Sequence, residues 1–243
     1  MEWDAPAIVL DARPYGEGGA VVTVLTEAHG AHRGLARGGA SKSQAALWQA
    51  GNIVRARWVA HLADQLGALS AELVHPGAAL AMDDPLALAI LAAACGVAEG
   101  ALPEREPHPQ VFSGLLELIA GLSADSVPAL VRWETTLLAE LGYGLDLAAC
   151  AVTGSREDLA YVSPRTGRAV SRAAAGVWEA RLLRLPGFLG GVPQNDRTAD
   201  WRDGLKLTAH FLARDAFGQH HRPVPVARHM LYERVVRVAA ETV

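Results

Sequence analysis

Five basic side chains stand in a stretch of the sequence that contains no acidic residue. Between residues 28 and 63 the chain has five Lys or Arg and no Asp or Glu, although the 243-residue chain carries a formal net charge of −4. Trp48 and Trp58 lie in the same stretch. Basic side chains neutralise the phosphates of nucleic acids, and aromatic rings among them can stack on unpaired bases. The stretch is therefore a candidate polyanion-binding surface, with Arg33, Arg37, Lys42, Arg55 and Arg57 as its basic residues.

Motifs for catalysis are weak in comparison. Residues 37–43 (RGGASKS) lack two glycines of a P-loop, although such a basic turn can still contact phosphates through Lys42 and backbone N–H groups. His220 and His221 are adjacent in a loop, which is more typical of solvated histidines than of metal ligands. We assign no catalytic residue, and a hydrolase that uses His220 or His221 remains the alternative from the enzyme class.

The elements that carry the basic residues read as short strands. Apolar and β-branched residues alternate between glycine-bearing turns, and in the fourth strand this alternation places Arg55 and Arg57 on one face, opposite Trp58. Five short strands in about 75 residues suit a small closed barrel, such as the OB-fold that binds polynucleotides, and an SH3-like barrel fits as well. The predicted strands are 7–13, 20–26, 30–37, 52–60 and 67–74.

The pattern becomes helical after residue 76. We therefore expect an α+β multidomain chain, with an OB-fold β-barrel at 1–76 followed by a mainly α-helical domain at 77–243. A small irregular insertion of turns and short strands is expected at 150–171. Apolar spacing, caps and prolines predict helices at 85–98, 111–122, 130–141, 198–217 and 225–240.

A second group of arginines lies among apolar residues of the helical part. Arg132, Arg181, Arg184 and Arg228 could pair with an acidic peptide beside an apolar groove, and ordinary surface ion pairs explain them equally well. Charge is also segregated along the chain, because residues 64–128 hold nine acids and one base, Arg105. Such blocks indicate surfaces that face different partners.

Composition indicates a globular protein of the reducing cytosol. The chain is 51% hydrophobic and 20% charged, which excludes a disordered polymer. Its N-terminus lacks the features of a signal peptide, and no apolar run is long enough to cross a membrane. Cys95 and Cys150 each stand in an apolar stretch, where we expect core thiols rather than a disulfide.

Several motifs, in order and spacing, resemble the RecO family of bacterial DNA repair proteins almost from end to end. They are residues 30–39 (GAHRGLARGG), 132–134 (RWE), 141–147 (LGYGLDL) and 161–171 (YVSPRTGRAVS). The resemblance implies a non-enzymatic mediator that binds single- and double-stranded DNA and anneals complementary strands. It also implies that the protein acts with RecR to load RecA onto DNA coated by single-stranded-DNA-binding protein, whose acidic C-terminal tail it grips.

This chain departs from the family at one point. Some members carry a zinc-binding cysteine cluster that begins at the position of Cys150, but no further cysteine follows here. One thiolate does not build a four-ligand zinc site, so we predict no metal and no cofactor. Arg132 is the residue we select for the acidic tail. We expect the protein in the cytoplasm, associated with the nucleoid, and keep an RNA-binding OB-fold protein of translation as the alternative.

Overall fold

Five strands close into a barrel in the N-terminal part of the chain. A computed structural model describes residues 1–62 and 65–241. The strand order around the barrel is β1-β2-β3-β5-β4, with β3 and β5 parallel and the other pairs antiparallel. This is the closed five-stranded arrangement of an OB-fold. The strands are β1 (Glu2–Tyr15), β2 (Gly19–Thr26), β3 (Gly30–Ala36), β4 (Ile53–Val59) and β5 (Ala68–His75).

The long first strand closes the barrel because it pairs with two neighbours. Its first half pairs with β4 and its second half with β2, and the register shifts between Val9 and Asp11. A bulge of this kind bends a strand and increases its twist, which lets one strand serve both sides of a closed sheet. Alternating side chains fill the interior, among them Val22, Val54 and Trp58, all at most 3% exposed.

Four helices of the described residues belong to the same compact unit as the barrel, Met1–Ala124. Helix α3 is mostly buried, and the Asp84 carboxylate caps its start by accepting the N–H groups of Leu86 and Ala87. The helices of this unit are α1 (Lys42–Ala45), α2 (Gly77–Leu80), α3 (Pro85–Ala101) and α4 (Pro109–Ala120). The predicted domain limit at residue 76 follows the end of β5 and stays a prediction.

The second compact unit, Asp125–Val243, is mainly helical. Helix α7 continues into a π-helical segment, Leu212–Ala216, so the predicted helix at 198–217 is confirmed in extent but not in regularity. The helices are α5 (Val127–Glu140), α6 (Arg172–Ala175), α7 (Arg197–Phe211) and α8 (Val226–Glu241). Among the described residues, no helix is both long and apolar enough to cross a membrane.

A small sheet forms the irregular part of the second unit. Strand β6 (Leu159–Val162) lies between β7 (Ala169–Ser171) and β8 (Leu183–Arg184), and both pairings are antiparallel. A 3₁₀ segment, Gly176–Arg181, connects this sheet's second and third strands after α6. The expected α+β class, with an N-terminal OB-fold barrel and a mainly helical remainder, is confirmed.

Candidate nucleic-acid interface

The two arginines of β4 point away from the barrel interior, as the alternation predicts. Arg55 and Arg57 are exposed, whereas Val54, Ala56 and Trp58 between and beside them are buried. Both arginines reach diagonally across to β1. The Arg55 Nε lies 2.6 Å from the Asp4 carboxylate, and the Arg57 Nη2 lies 3.0 Å from Glu2. Two acids from the N-terminal strand therefore stand beside this basic face.

Arg33 lies on a different part of the barrel wall. It is exposed on β3, and β5 separates that strand from β4. Its guanidinium lies 3.6 Å from Glu99 and 3.5 Å from Glu104, which come from the end of α3 and the segment after it. The basic residues of the strands thus occupy two separate places, and each place includes carboxylates.

The remaining two cations follow β3. Arg37 and Lys42 are exposed, and no carboxylate of the described residues lies within 4.0 Å of their charged nitrogens. The turn between them is fixed by its own backbone. The N–H groups of residues 39, 40 and 41 donate to the carbonyls of Ala36, Gly18 and Gly38, respectively. Those three amides are therefore not available to a phosphate. In this loop, the side chains of Arg37 and Lys42 are the groups that can contact one.

The cations in the exposed ion pairs of the barrel can exchange their carboxylate partners for other anions. Surface pairs of this type contribute about 0–1 kcal/mol to stability, so a phosphate can replace a carboxylate at little cost. The acids nevertheless lower the net positive charge below what the sequence window suggests. One acid of the acidic window, Asp64, lies outside the described residues. The assignment of Arg33, Arg37, Lys42, Arg55 and Arg57 to DNA stays a prediction.

Both tryptophans of the basic stretch belong to the core. Trp48 is 4% and Trp58 is 3% exposed, so neither offers a ring face to a base. The Trp58 Nε1 donates to the carbonyl oxygens of Arg33, at 3.1 Å, and Leu66, at 3.0 Å. Gly67 permits this fit, because its φ is +67° and a Cβ there would lie 2.4 Å from the indole nitrogen.

An aromatic cluster that the sequence analysis missed surrounds Trp58. The rings of Trp3 and His29 stack with centroids 5.0 Å apart, and His32 meets Trp58 edge to face at 4.7 Å. His32 is 6% exposed, and neither of its ring nitrogens has a hydrogen-bond partner. Burial lowers the pKa of His32 below its usual value, so the ring stays neutral. A tryptophan directly opposite Trp58 in β1 was the signal that could have revealed the cluster.

The helical unit holds a buried ion pair at one of the predicted peptide-binding arginines. Arg228 is 1% exposed, and its Nε and Nη2 lie 2.5 and 3.0 Å from the two carboxylate oxygens of Glu134. Its Nη2 also donates to the Leu205 carbonyl and to the Thr208 hydroxyl, which itself donates to Glu134. The suggestion that Arg228 captures an acidic peptide is therefore wrong, since its charge is already satisfied inside the unit.

Arg132 lies two residues before Glu134 on α5, but it is not part of the buried pair. Its side chain is exposed, and the guanidinium lies 5.5 Å from the ring centroid of Phe188. A cation beside a half-buried aromatic ring suits an acidic, apolar peptide. The assignment of Arg132 to the tail stays a prediction.

A separate groove of about 390 Å³ lies between α7 and α8, with Lys206 and His229 among its lining residues.

Cys150 is the residue from which the sequence analysis predicts no zinc site. Burial raises the pKa of its thiol, but hydrogen bonds from Ser171 and Thr153 outweigh this and lower the pKa to about 6. The Ser171 N–H and hydroxyl lie 3.3 and 3.5 Å from the sulfur. Among the described residues, no three His, Cys, Asp or Glu side chains are grouped to hold a metal ion. The absence of zinc stays a prediction, which metal analysis of the purified protein tests.

The histidines that define the enzyme alternative lie in a loop after the π-helical segment. His220 and His221 are both exposed, and His221 has a φ of +54°, so their backbones do not share one regular conformation.

Trp178 is the second aromatic feature that the sequence analysis missed. It is 57% exposed in a stretch without helical or strand periodicity, which is the signal that distinguishes it from the core tryptophans.

Comparison with known proteins agrees with this architecture. A family model described as "Recombination protein O N terminal" matches residues 1–76, and one described as "Recombination protein O C terminal" matches residues 82–222. The chain is similar to the DNA repair protein RecO of Gluconacetobacter diazotrophicus, with 58% identity over 97% of this chain and 95% of that protein. It is also similar to the RecO protein of Acidiphilium cryptum, with 59% identity over 98% and 96%. An OB-fold barrel, a helical unit and these matches over almost the whole length together show that the chain belongs to the RecO family of DNA repair proteins.

Proposed function

We propose that this protein is a non-enzymatic recombination mediator. It binds single- and double-stranded DNA, anneals complementary strands and, together with RecR, helps to load RecA onto DNA coated by single-stranded-DNA-binding protein. The observation that carries the proposal is an OB-fold barrel on which the five predicted cations are all exposed, with Arg37 and Lys42 outside the ion pairs of the described residues. Neutralised phosphates let two strands approach despite their mutual repulsion.

The salt dependence of binding measures how many barrel cations contact phosphates. For single strands, log K falls with log salt by about 0.7 per neutralised phosphate. Contact by Arg37 and Lys42 alone gives a slope of about −1.4, and contact by all five cations gives about −3.5. Titration of a labelled oligonucleotide against the wild type, the R37A/K42A variant and the R55A/R57A variant separates the two cases.

The outcome of that titration is decisive for the barrel. We expect R37A/K42A to reduce both affinity and slope, and R55A/R57A to reduce the slope only if DNA displaces Asp4 and Glu2. R202A, which alters an arginine of α7, is the control for a general loss of charge. Equal slopes in all four proteins would refute phosphate contact by the barrel.

The second part of the proposal is recruitment through the acidic tail of single-stranded-DNA-binding protein. Arg132 would pair with a tail carboxylate while apolar tail residues lie against the Phe188 side of the helix. A pull-down with the tail peptide, and with the same peptide lacking its last residues, tests this. We expect R132A to weaken capture of the complete peptide and K206A to leave it unchanged. Loss of capture in K206A alone would move the site to the groove between α7 and α8.

DNA and RNA are distinguished by gel shifts with strands of the same sequence. We expect DNA to bind at least as well as RNA, because the cations proposed to contact phosphates do not recognise the 2′-hydroxyl of RNA. A strong preference for RNA would favour the translation alternative. We place the protein in the cytoplasm, associated with the nucleoid, as its DNA substrate requires.

A further inference from the structure

Trp178 is unlike the other tryptophans of the chain. Trp48, Trp58, Trp133 and Trp201 are 3–4% exposed and Trp3 is half-buried, whereas Trp178 is 57% exposed and its neighbour Val177 is 91% exposed. A tryptophan loses its large hydrophobic gain when it stays in water. An indole held on the surface is therefore a candidate contact residue rather than a packing residue.

The segment that carries Trp178 is fixed from both ends. Gly176–Arg181 is a 3₁₀ segment. Glu179, the residue after Trp178, accepts a hydrogen bond from the hydroxyl of the buried Tyr161. Strand β8 follows directly and pairs with β6, with Arg184 opposite Tyr161. Trp178 is therefore presented in a defined place, which reduces the entropy lost when a ligand binds.

The surroundings of Trp178 are basic. Residues 163–184 contain five arginines and one acid, Glu179, whose carboxylate accepts the Tyr161 hydroxyl. Arg168 and Arg172 form ion pairs with Asp146 and Asp158. Arg181 instead lies 5.2 Å from the centroid of the Trp178 ring, and Arg184 lies 5.4 Å from the centroid of Tyr161. No carboxylate of the described residues lies within 4.0 Å of either guanidinium.

We propose that Trp178, Arg181 and Arg184 form a second binding surface for single-stranded nucleic acid, on the small sheet of the helical unit. The inference rests on the proposed function and assigns it an additional contact. Trp178 stacks on an unpaired base, and the two arginines contact the adjoining phosphates. An acidic peptide is the less favoured occupant, because the exposed large apolar side chains of this segment are only Val177 and Trp178, whereas the indole face opposite Arg181 suits a stacked base.

The test uses the full chain labelled with 5-fluorotryptophan. The W178F variant assigns the Trp178 fluorine resonance, and the protein is titrated with oligo-dT of about 15 nucleotides, near the upper end of the usual site sizes. We expect the Trp178 resonance to shift or broaden on titration while those of the four buried tryptophans stay in place. W178A should weaken binding by about 5- to 150-fold, the usual loss of one stacked base, and W178F should weaken it less.

Controls separate this surface from the barrel and from a folding defect. M230A alters another exposed side chain, on α8, and should leave the affinity for the oligonucleotide unchanged. The unfolding midpoints of all variants should equal that of the wild type. An unmoved Trp178 resonance with W178A affinity within twofold of wild type would overturn the inference. If R37A/K42A still weakened binding in that case, the proposed function would stand. Loss of RecR or tail-peptide capture in W178A, with oligonucleotide binding intact, would make this surface a protein interface and also overturn it.

Discussion

The two units of the molecule place their charges differently. In the N-terminal unit the ion pairs are on the surface, as in Arg55 with Asp4, where 60% and 47% of the side-chain surface is exposed. Inside that unit, burial lowers the pKa of His32. The C-terminal unit also has exposed pairs, such as Arg168 with Asp146, but its pair of Arg228 and Glu134 is inside, with 1% and 0% exposed. Cys150, also buried there, has a pKa of about 6.

This difference separates charges that are available to ligands from charges that support the fold. A surface pair gains little over two hydrated ions, so a phosphate can take the place of the carboxylate. A buried pair has lost its water, and removal of one partner leaves the other charge without compensation. The same residue types therefore serve binding where they are exposed and structure where they are buried, and substitutions should show this.

The largest expected effect is at the buried pair. Glu134→Gln removes the negative charge and leaves the Arg228 guanidinium uncompensated among α5, α7 and α8. We expect a loss of about 3–5 kcal/mol in the free energy of unfolding, measured by urea denaturation. R55A, which breaks the exposed pair with Asp4 in the N-terminal unit, should cost less than about 1 kcal/mol. Similar losses in the two variants would remove the distinction between the units.

The second effect concerns the buried sulfur. The pKa of Cys150 is about 6 in the folded protein and about 8.5 in an unfolded chain, so between these values the unfolded state binds more protons. Stability should therefore rise with pH across this window, by about 1–3 kcal/mol by pH 8, and be lost as the pH falls toward 6. Denaturation at several pH values should show this slope in the wild type and its loss in C150A.

Cys95 provides the matched control for that measurement. Burial raises the pKa of its thiol to about 12, so it stays protonated in the folded protein throughout the window. C95A should change the overall stability and leave the slope between pH 6 and 8 as in the wild type. A slope that survives in C150A would mean that another group carries it.

The sequence predicted the framework well because local patterns determine it. Alternation of apolar and polar residues located all five barrel strands and the outward direction of Arg55 and Arg57. The first five residues of β1 were missed, since Glu2, Asp4 and Pro6 do not look like a strand. Only their pairing with β4 makes them one. Helix limits came from caps and apolar spacing, and the π-helical segment after α7 has no local signal.

The electrostatics of the candidate site could not be predicted from a window of sequence. An acid-free stretch of the chain is not an acid-free surface. Strand pairing brings Glu2 and Asp4 to it, α3 brings Glu99, and a β-bridge to Ala31 brings Glu104. The burial of Trp58 follows from the same alternation that exposes Arg57. The exposure of Trp178 was not predicted, since it depends on a turn held by the Glu179 contact.

The third effect tests whether the surface pairs of the barrel are exchangeable. E2Q/D4N frees Arg57 and Arg55 from their carboxylates. We expect oligonucleotide binding at low salt to tighten by about two- to fivefold and the salt slope to steepen by up to about 1.4, while stability changes by less than about 1 kcal/mol. D83N, at an exposed acid before α3, should change neither. Unaltered binding in E2Q/D4N would exclude this face of β4 from the interface.

The smallest effect is expected from the neutral ring inside the barrel. Burial lowers the pKa of His32, with Arg105 and His29 acting in the same direction and the His29 backbone and Glu104 opposing them. The unfolded chain therefore takes up the proton first, at about pH 6.5, and stability should fall as the pH drops below that value. H32F should flatten this fall, whereas H61Q, at an exposed histidine of the same unit, should not. Denaturation followed by tryptophan fluorescence reports the difference through Trp3 and Trp58. An identical acid response in H32F would show that the barrel interior already accommodates a charge, which is the property we assign to the helical unit alone.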